Sequence, residues 1–542
     1  MNNVKKGQYI MKKTKMYTPD EILEKFLIWF DFKKKLAFIV SFVIGFITHI
    51  SMITDYIMSQ DGLWNSIQYF RPGDWEVTLG RWGINLTQRL NNFIAIPNLS
   101  TISCILIMSV VAVLIVDLFE LKNKTSIIIT SSILVVAPSF LVTVLYIYTS
   151  LSYCMCMLFS VLAIWSIYKI ANKKLAYILS FIFFVLSLSI YQSYIGLSIG
   201  LCLMVSILDI IRDKKNIKEV ILEVIKIGIL IVIAGIMYFV ITKIILWLLC
   251  LEFASYKDAN KFSILDIIKN LRISLIKTYK DFFAFFLRDR IIANSNYRRE
   301  IFYLLLFIST FIITINKVFK SEKRKRLINI TVLFVLVMCL PVALNVIDLL
   351  FLDTEMYVLT AGQMIFIVPL CLALIECTDE NKILKWVSVI SLLFIIGTYY
   401  IADNTSYTAL KMTYNQAFTA TERLIDRIEN TPDYNKSYPI IFGGIIGNNN
   451  FPRTSNIYQY TIGQIVNNTT FHGTYGGQVG TWVNYLKVFF GMDIIPAEAN
   501  LYYTIVTSEE YKEMGIFPAQ NSVKIRDGII IVKLSDDPPL PF

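Results

Sequence analysis

Charge is scarce in this chain. Only 17% of its 542 residues are Asp, Glu, Lys or Arg, while 56% are hydrophobic and the mean hydropathy is +0.59. A soluble domain carries about a quarter charged residues, and no single core could absorb so large an apolar excess. Histidine is nearly missing: His49 lies in an apolar run and is expected to pack there against a polar partner. His472, in HGTYGG, has no second histidine nearby, so no His-built metal centre is expected. The eight cysteines all fall in apolar runs or at the end of one, none in the polar tail. No CxxC pair occurs, and the CMC at 154–156 has the wrong spacing for a metal, so both a disulfide framework and a thiolate centre are excluded. GGIIGNNN at 443–450 lacks the GK[ST] of a phosphate loop. There is no internal repeat and no low-complexity tract, which weakens a repeat-built transporter fold. No cleavable leader is expected, since about 35 polar, basic residues precede the first apolar run, which is expected to stay as a membrane helix.

What is present is a series of apolar runs of about twenty residues, the length that crosses about 30 Å of hydrocarbon. Roughly eleven spans are predicted, near 36–55, 100–118, 126–148, 150–170, 175–190, 192–211, 222–250, 299–319, 326–350, 356–377 and 383–402. The pairs meeting at 148–150 and 190–192 abut closely enough to be tight hairpins or broken helices. The net charge of +11 does not point to nucleic acid, because the Lys and Arg cluster between spans: KKGQYIMKKTK and FKKK, YKIANKK, IRDKKNIK and KVFKSEKRKR. That is the positive-inside bias of cytoplasmic loops. With the basic N-terminus (1–35) inside, every basic cluster falls inside and the loop at 56–98 falls outside. The fold class expected is an all-α polytopic membrane protein with a small extracytoplasmic α+β domain over 403–542.

Two further segments fall outside on this parity. Residues 254–297 space their apolar residues at three and four with Lys and Asp opposite, the pattern of an interfacial amphipathic helix. In the tail, 405–430 reads as a helix, and YPIIFGG, YYTIVTS and DGIIIVKLS read as strands.

The loop QDGLWNSIQYFRPGDWEVTLGRWG is the chemically dense stretch. Asp61, Asp74 and Glu76 stand among Arg71, Arg81, Trp64, Tyr69, Trp75 and Trp82. A carboxylate there could take a proton from an acceptor hydroxyl. A guanidinium could hold a leaving phosphate, and the aromatic rings could serve as interface anchors and as platforms for sugar faces. A wet outer loop with an aromatic belt would carry a similar composition without any chemistry. Elsewhere, Tyr191, Gln192 and Tyr194 sit between two spans where a donor groove could run, and Arg288, Asp289 and Arg290 could reach a phosphate or form a solvated rim.

The string DGLWNSIQYFRPGDWEVTLGRWG resembles the first outer loop of the bacterial Gtr-type glucosyl transferase family II. An acidic DG or DD followed by GR is that family's pattern, and Asp61-Gly62 and Gly80-Arg81 occupy those places. APSFLVTVLYIYTSLSYCM at 137–155, SIYQSYIGLSIGL at 189–201 and RDGIIIVKLS at 526–535 extend the likeness in order along the chain. The resemblance implies a GT-C-like membrane enzyme that moves a sugar, typically glucose, from a polyprenyl phosphate to a cell-surface glycan. It makes Asp61 the leading base, with Asp74 and Glu76 as runners-up. Arg81 becomes the main phosphate contact. The residues themselves, apart from the resemblance, add Arg71, Tyr191, Gln192, Arg288 and Arg290 as phosphate or donor contacts and Trp64, Trp75 and Trp82 as the sugar platform. Gly62, not a second acid, follows Asp61, so no obligatory metal and no other cofactor is expected. An inverting displacement is expected, while a second carboxylate near Asp61 would permit a retaining course. The rival class is a lipid-linked sugar or polysaccharide transporter, which would place ionisable residues within the spans. A non-catalytic surface-assembly protein is a third.

Overall fold

The structure is a computed structural model that describes residues 18–55, 57, 62, 65, 68–255, 264–288, 299–320, 323–350, 358–377, 381–444, 456–457, 461–462 and 479–536. It begins with α1 (Pro19–Trp29), started by Pro19 and by a reciprocal cap in which Thr18 and Glu21 each accept the other's backbone N–H. Ile22, Leu23, Phe26, Leu27 and Ile28 of α1 are exposed, as on a helix lying along a membrane surface. The chain then enters α2 (Phe32–Thr48), capped by the Asp31 carboxylate, and breaks at His49 before the short α3 (Ile50–Thr54). His49 fills this break: its Nε2–H donates to the Val135 carbonyl at 2.7 Å, leaving Nδ1 to accept the Tyr407 hydroxyl at 2.7 Å. The polar partner expected for this histidine is therefore found twice over.

After the loop come α4 (Asp74–Thr78), α5 (Gly83–Gln88) and α6 (Pro97–Leu118). α7 (Lys124–Val136) and α8 (Pro138–Leu145) meet at a 42° bend where Pro138 supplies no N–H. They are followed by α9 (Ser150–Lys169), α10 (Lys173–Ile190), a 3-10 turn at Gln192–Tyr194, and α11 (Ile195–Ile211). α12 (Ile217–Leu248) turns most of its length outward, exposing Ile225, Ile229, Val232, Ile236 and Phe239. Such a face suits lipid and not water. Then follow α13 (Ile264–Leu287), α14 (Arg299–Phe319), α15 (Lys323–Leu344), α16 (Val346–Leu350), a 3-10 stretch at Thr360–Phe366 and α17 (Ile367–Ile375). Within the bundle, hydroxyls are satisfied internally, Ser109, Ser131 and Ser132 each donating to the carbonyl four residues back.

Among the described residues, eight helices are long and apolar enough to cross a membrane, or nine if the bent pair α7–α8 is one span. The chain is a multi-pass membrane protein. The two other segments expected to span are shorter. The first is cut at His49 into 17 and 5 residues, and Thr360–Ile375 starts as a 3-10 turn. Both abutting pairs prove to be separate helices, parted by the turns at 146–149 and 191–194.

Three of the basic clusters, FKKK, YKIANKK and IRDKKNIK, gather at one end. Lys34 pairs with Asp117 at 3.1 Å, Glu120 with Lys169 at 3.0 Å, Arg212 at 3.9 Å and also Lys214, and Lys215 with Asp209 at 2.9 Å. Glu376 accepts the backbone N–H groups of Lys122 and Asn123 at 2.8 and 3.0 Å. Four inter-helix connections are thereby tied together, and the chemically dense loop lies at the other end. Burial alone would raise the Glu120 carboxyl, but hydrogen bonds and charge from Lys214 and Lys169 outweigh it and bring it down to about 2. A group depressed in the folded state stabilises above its ordinary value of 4.5 and loses that contribution as pH falls towards 2. Glu120→Gln is therefore expected to lower the melting temperature at neutral pH and to flatten its decline between those two values. Thermal unfolding of both proteins across that range checks this, and an unchanged acid limb in the variant contradicts it.

One expectation about the tail is refined and one corrected. The span expected at 383–402 and the helix expected at 405–430 form one helix, α18 (Lys382–Glu429), unbroken for 48 residues. No Gly or Pro interrupts 398–429, and Tyr399, Ala402, Ser406, Ala409, Leu410 and Thr413 keep one buried stripe at helical spacing. YYTIVTS is not a strand, since Ala499–Val506 forms α20, placed between α19 (Val479–Phe490) and α21 (Glu509–Glu513). Tyr502 and Val506 bury one side of that helix at i, i+4 spacing. The strands are β1 (Ile440–Gly443), β2 (Val523–Arg526) and β3 (Ile529–Lys533), in the order β1-β3-β2. β1 runs parallel to β3 with Ile440 beside Ile530, and β2 runs antiparallel with Val523 beside Val532. Asp527 and Gly528, at φ 49° and 73°, make the two-residue turn that the DG pair encodes.

The amphipathic segment is also refined. α13 faces inward with Ser274, Thr278 and Asp281, while Ile268, Ile273, Ile276 and Phe283 lie exposed. These polar residues meet protein together with Ala284, Phe285 and Phe286, and the exposed apolar residues are left for lipid.

Candidate functional site

The loop end of the bundle is built around the turn Leu79-Gly80-Arg81. Upstream, the loop is pinned by Phe70 N–H donating to Phe93 O at 2.8 Å and Ala95 N–H donating to Gln68 O at 3.0 Å. Gly73 then opens α4, and its N–H donates to the Glu76 carboxylate at 2.8 Å. Glu76 is thus buried and engaged as a helix cap, whereas Arg71, Asp74 and Trp75 are exposed on the same short stretch.

Gly80 has φ +75°, a left-handed conformation that glycine adopts without strain. A Cβ there would lie 2.2 Å from the Tyr238 hydroxyl and 3.2 Å from Gln192 Nε2. Those two groups clamp the turn. Gln192 Nε2 donates to Leu79 O at 3.0 Å and to the Tyr238 hydroxyl at 2.7 Å, and that hydroxyl donates to Gly80 O at 3.1 Å. Arg81 emerges from the clamp with its guanidinium 4.7 Å from the Tyr191 ring centre. Tyr191 in turn packs on Tyr153 at 4.9 Å and on Tyr194 at 5.7 Å. Trp82 donates from Nε1 to Thr242 Oγ1 at 3.1 Å, so this ring anchors the turn to α12. Gly83 lies against Ser189, where a Cβ would fall 2.1 Å from the hydroxyl oxygen, and this lets α5 press on α10.

Of the residues singled out in the sequence, the fold brings Arg81, Trp82, Tyr191 and Gln192 together. Asp74, Trp75 and Arg71 stand on the adjoining exposed stretch, Glu76 is turned inward, and Arg288 is exposed at the end of α13. Asp61, Trp64, Asp289, Arg290 and His472 lie outside the described residues. Sequence reasoning missed Tyr238, 158 residues from the carbonyl it binds. Its signal was slight: a Tyr followed one turn later by Thr242 within an otherwise apolar run. It also missed two buried acids. Asp348 is paired with Lys277 at 3.4 Å and with Asn345. Asp403 is fully buried, and neither carboxylate oxygen has a hydrogen-bond partner among the described residues. No three His, Cys, Asp or Glu side chains among the described residues are gathered to hold a metal ion.

Gly80→Ala is expected to damage this site through space and strain together. Its activity loss should be smaller in a Tyr238→Phe background, where the nearest obstructing atom is gone. A double-mutant cycle on activity and melting temperature checks this, and strict additivity of the two changes contradicts the clamp.

Fold and site together define a multi-pass membrane protein whose loop-end turn presents an arginine on a bed of tyrosines. The family model for glucosyl transferase GtrII matches residues 64–368, more than half of the chain, whereas no curated protein and no solved structure matches. The chain belongs to the glucosyl transferase GtrII family and is a glucosyltransferase.

Proposed function

We propose that this glucosyltransferase takes glucose from a polyprenyl-phosphate carrier and transfers it to a cell-surface glycan, at the loop end of the bundle, on the outer face of a bacterial membrane. The observation that carries this reading is the clamped Gly80-Arg81 turn, which holds a guanidinium among tyrosines at the helix ends. On this reading the lipid phosphate lies level with the helix ends, and a guanidinium matches its oxygens with two parallel N–H donors. The orientation rests on the positive-inside bias of the basic clusters, three of which share the opposite end.

The reaction proposed is a GT-C-type inverting displacement without a metal. Asp61 accepts the proton of the acceptor hydroxyl while that oxygen attacks the anomeric carbon. The bond from that carbon to the phosphate oxygen breaks, and polyprenyl phosphate leaves with its new charge against Arg81. Asp74 is the alternative base, since Glu76 spends its carboxylate on the cap of α4. Arg71, Arg288 and Arg290 are reserve phosphate contacts, and Trp64 and Trp75 the sugar platform. The buried Asp403 is the feature a transporter would offer, but membership of a glucosyltransferase family outweighs it.

Transfer of labelled glucose from polyprenyl phosphate in membranes carrying the chain tests the proposal. The expected result is label in glycan that depends on Asp61 and Arg81. Undiminished transfer by Asp61→Asn would remove that residue from the base role.

A further inference from the structure

A cavity lies apart from the Arg81 turn, at the foot of the tail. Asp55, the residue after α3, and one face of α18 enclose it together with α19. The cleft measures about 230 Å³. That is just below the range of about 300–1,000 Å³ that holds drug-sized molecules, so it fits one small ring unit and not a long chain.

Its lining mixes flat rings with groups that hydrogen-bond. Lys411, Tyr414, Asn415 and Phe418 follow one another at i, i+3, i+4 and i+7, so α18 presents all four on one face. Phe489 faces Tyr414, with ring centres 6.1 Å apart. Lys411 pairs with Asp55 at 2.9 Å, which leaves the polar side of the cleft without net charge. Phe418 is 39% exposed although it lies beyond the span, beside an exposed asparagine. A carboxylate, an ammonium and an amide together offer both donors and acceptors. Rings beside them offer a face to aliphatic C–H groups. A lipid chain would have to desolvate the Asp55–Lys411 pair, at a cost it could not recover.

We infer that this cleft binds a hexose unit of the acceptor glycan, as a subsite distinct from the Arg81 turn. The inference rests on the transferase reading for the word acceptor, but not for the binding of sugar. Asp55 lies six residues before Asp61, and six residues of chain reach at most about 21 Å. A glycan held at the cleft therefore stays within a few sugar units of the proposed base.

The test uses the full chain in lipid nanodiscs and a panel of methyl hexopyranosides, followed by saturation-transfer NMR. At least one hexoside is expected to receive saturation, and Asn415→Ala and Phe418→Ala should each weaken that binding by about tenfold. The same variants are expected to raise the acceptor KM by a similar factor while leaving donor cleavage without acceptor unchanged. Asn415 is exposed, so its variant remains informative if loss of Phe418 from its stack on Phe490 lowers stability. Saturation of no panel member, or wild-type binding in both variants, overturns the inference. Hexoside binding that depends on Asn415, in a protein that transfers no glucose from polyprenyl phosphate, upholds the cleft and overturns the donor reading instead.

Discussion

A lysine in place of Arg81 is expected to lower kcat/KM for the lipid-phosphate donor by about a hundredfold, or about 2.7 kcal/mol of transition-state stabilisation. The charge survives this change, but two things do not. The guanidinium sits over Tyr191, 4.7 Å from the ring centre, and an ammonium on a flexible stem does not reproduce that seat. The paired N–H donors that match two phosphate oxygens are also lost. Because phosphate charge grows as the glycosidic bond breaks, the loss should fall on kcat as well as KM. Tyr191→Phe keeps the ring and serves as the control, with a rate near that of the wild-type protein. Equal activity of Arg81→Lys and wild type would show that only net charge matters at this turn.

Asp61→Asn carries the second large effect, a fall in transfer of about a thousandfold, within the range for loss of a general base. Asparagine keeps the size and one acceptor oxygen but does not take up the hydroxyl proton. The comparison that gives this result meaning is with the two other acids of the loop. Glu76→Gln retains an oxygen for the Gly73 N–H and should leave the cap and the rate nearly intact. Asp74→Asn, at an exposed helix start, should likewise be mild. A severe loss in Asp74→Asn with a mild one in Asp61→Asn would move the base to Asp74.

How much of this was legible in the sequence depends on how local each signal is. Spans and basic clusters follow from composition within a window of about twenty residues, and nine of the expected spans, counting the bent pair as one, are long and apolar enough in the bundle. The Gly80-Arg81 pair was visible as a motif, and His49 as a buried polar side chain in want of partners. The clamp itself was not, because Gln192 and Tyr238 reach the turn from 113 and 158 residues away. A tyrosine in an apolar run carries no mark of such a role. Glu76 illustrates the opposite failure. Its acidity was plain, but whether a carboxylate faces solvent or caps its own helix is settled only by the backbone of Gly73. In the tail, YYTIVTS has the composition of a strand, and packing of Tyr502 and Val506 on one side made it a helix. The Asp527-Gly528 turn had announced the missed strand β2, since a DG pair ahead of an apolar run implies a partner before it.

The most direct measurement is single-donor transfer by the purified full chain in sealed vesicles, with polyprenyl-phosphate glucose as the only sugar source and a surface glycan as acceptor. The expected result is glucose appearing in glycan and polyprenyl phosphate released in equal amount, with the lipid donor consumed on the side of the loop end. Transfer from a soluble nucleotide sugar with no lipid donor present, or passage of the intact donor across the bilayer without cleavage, would contradict it.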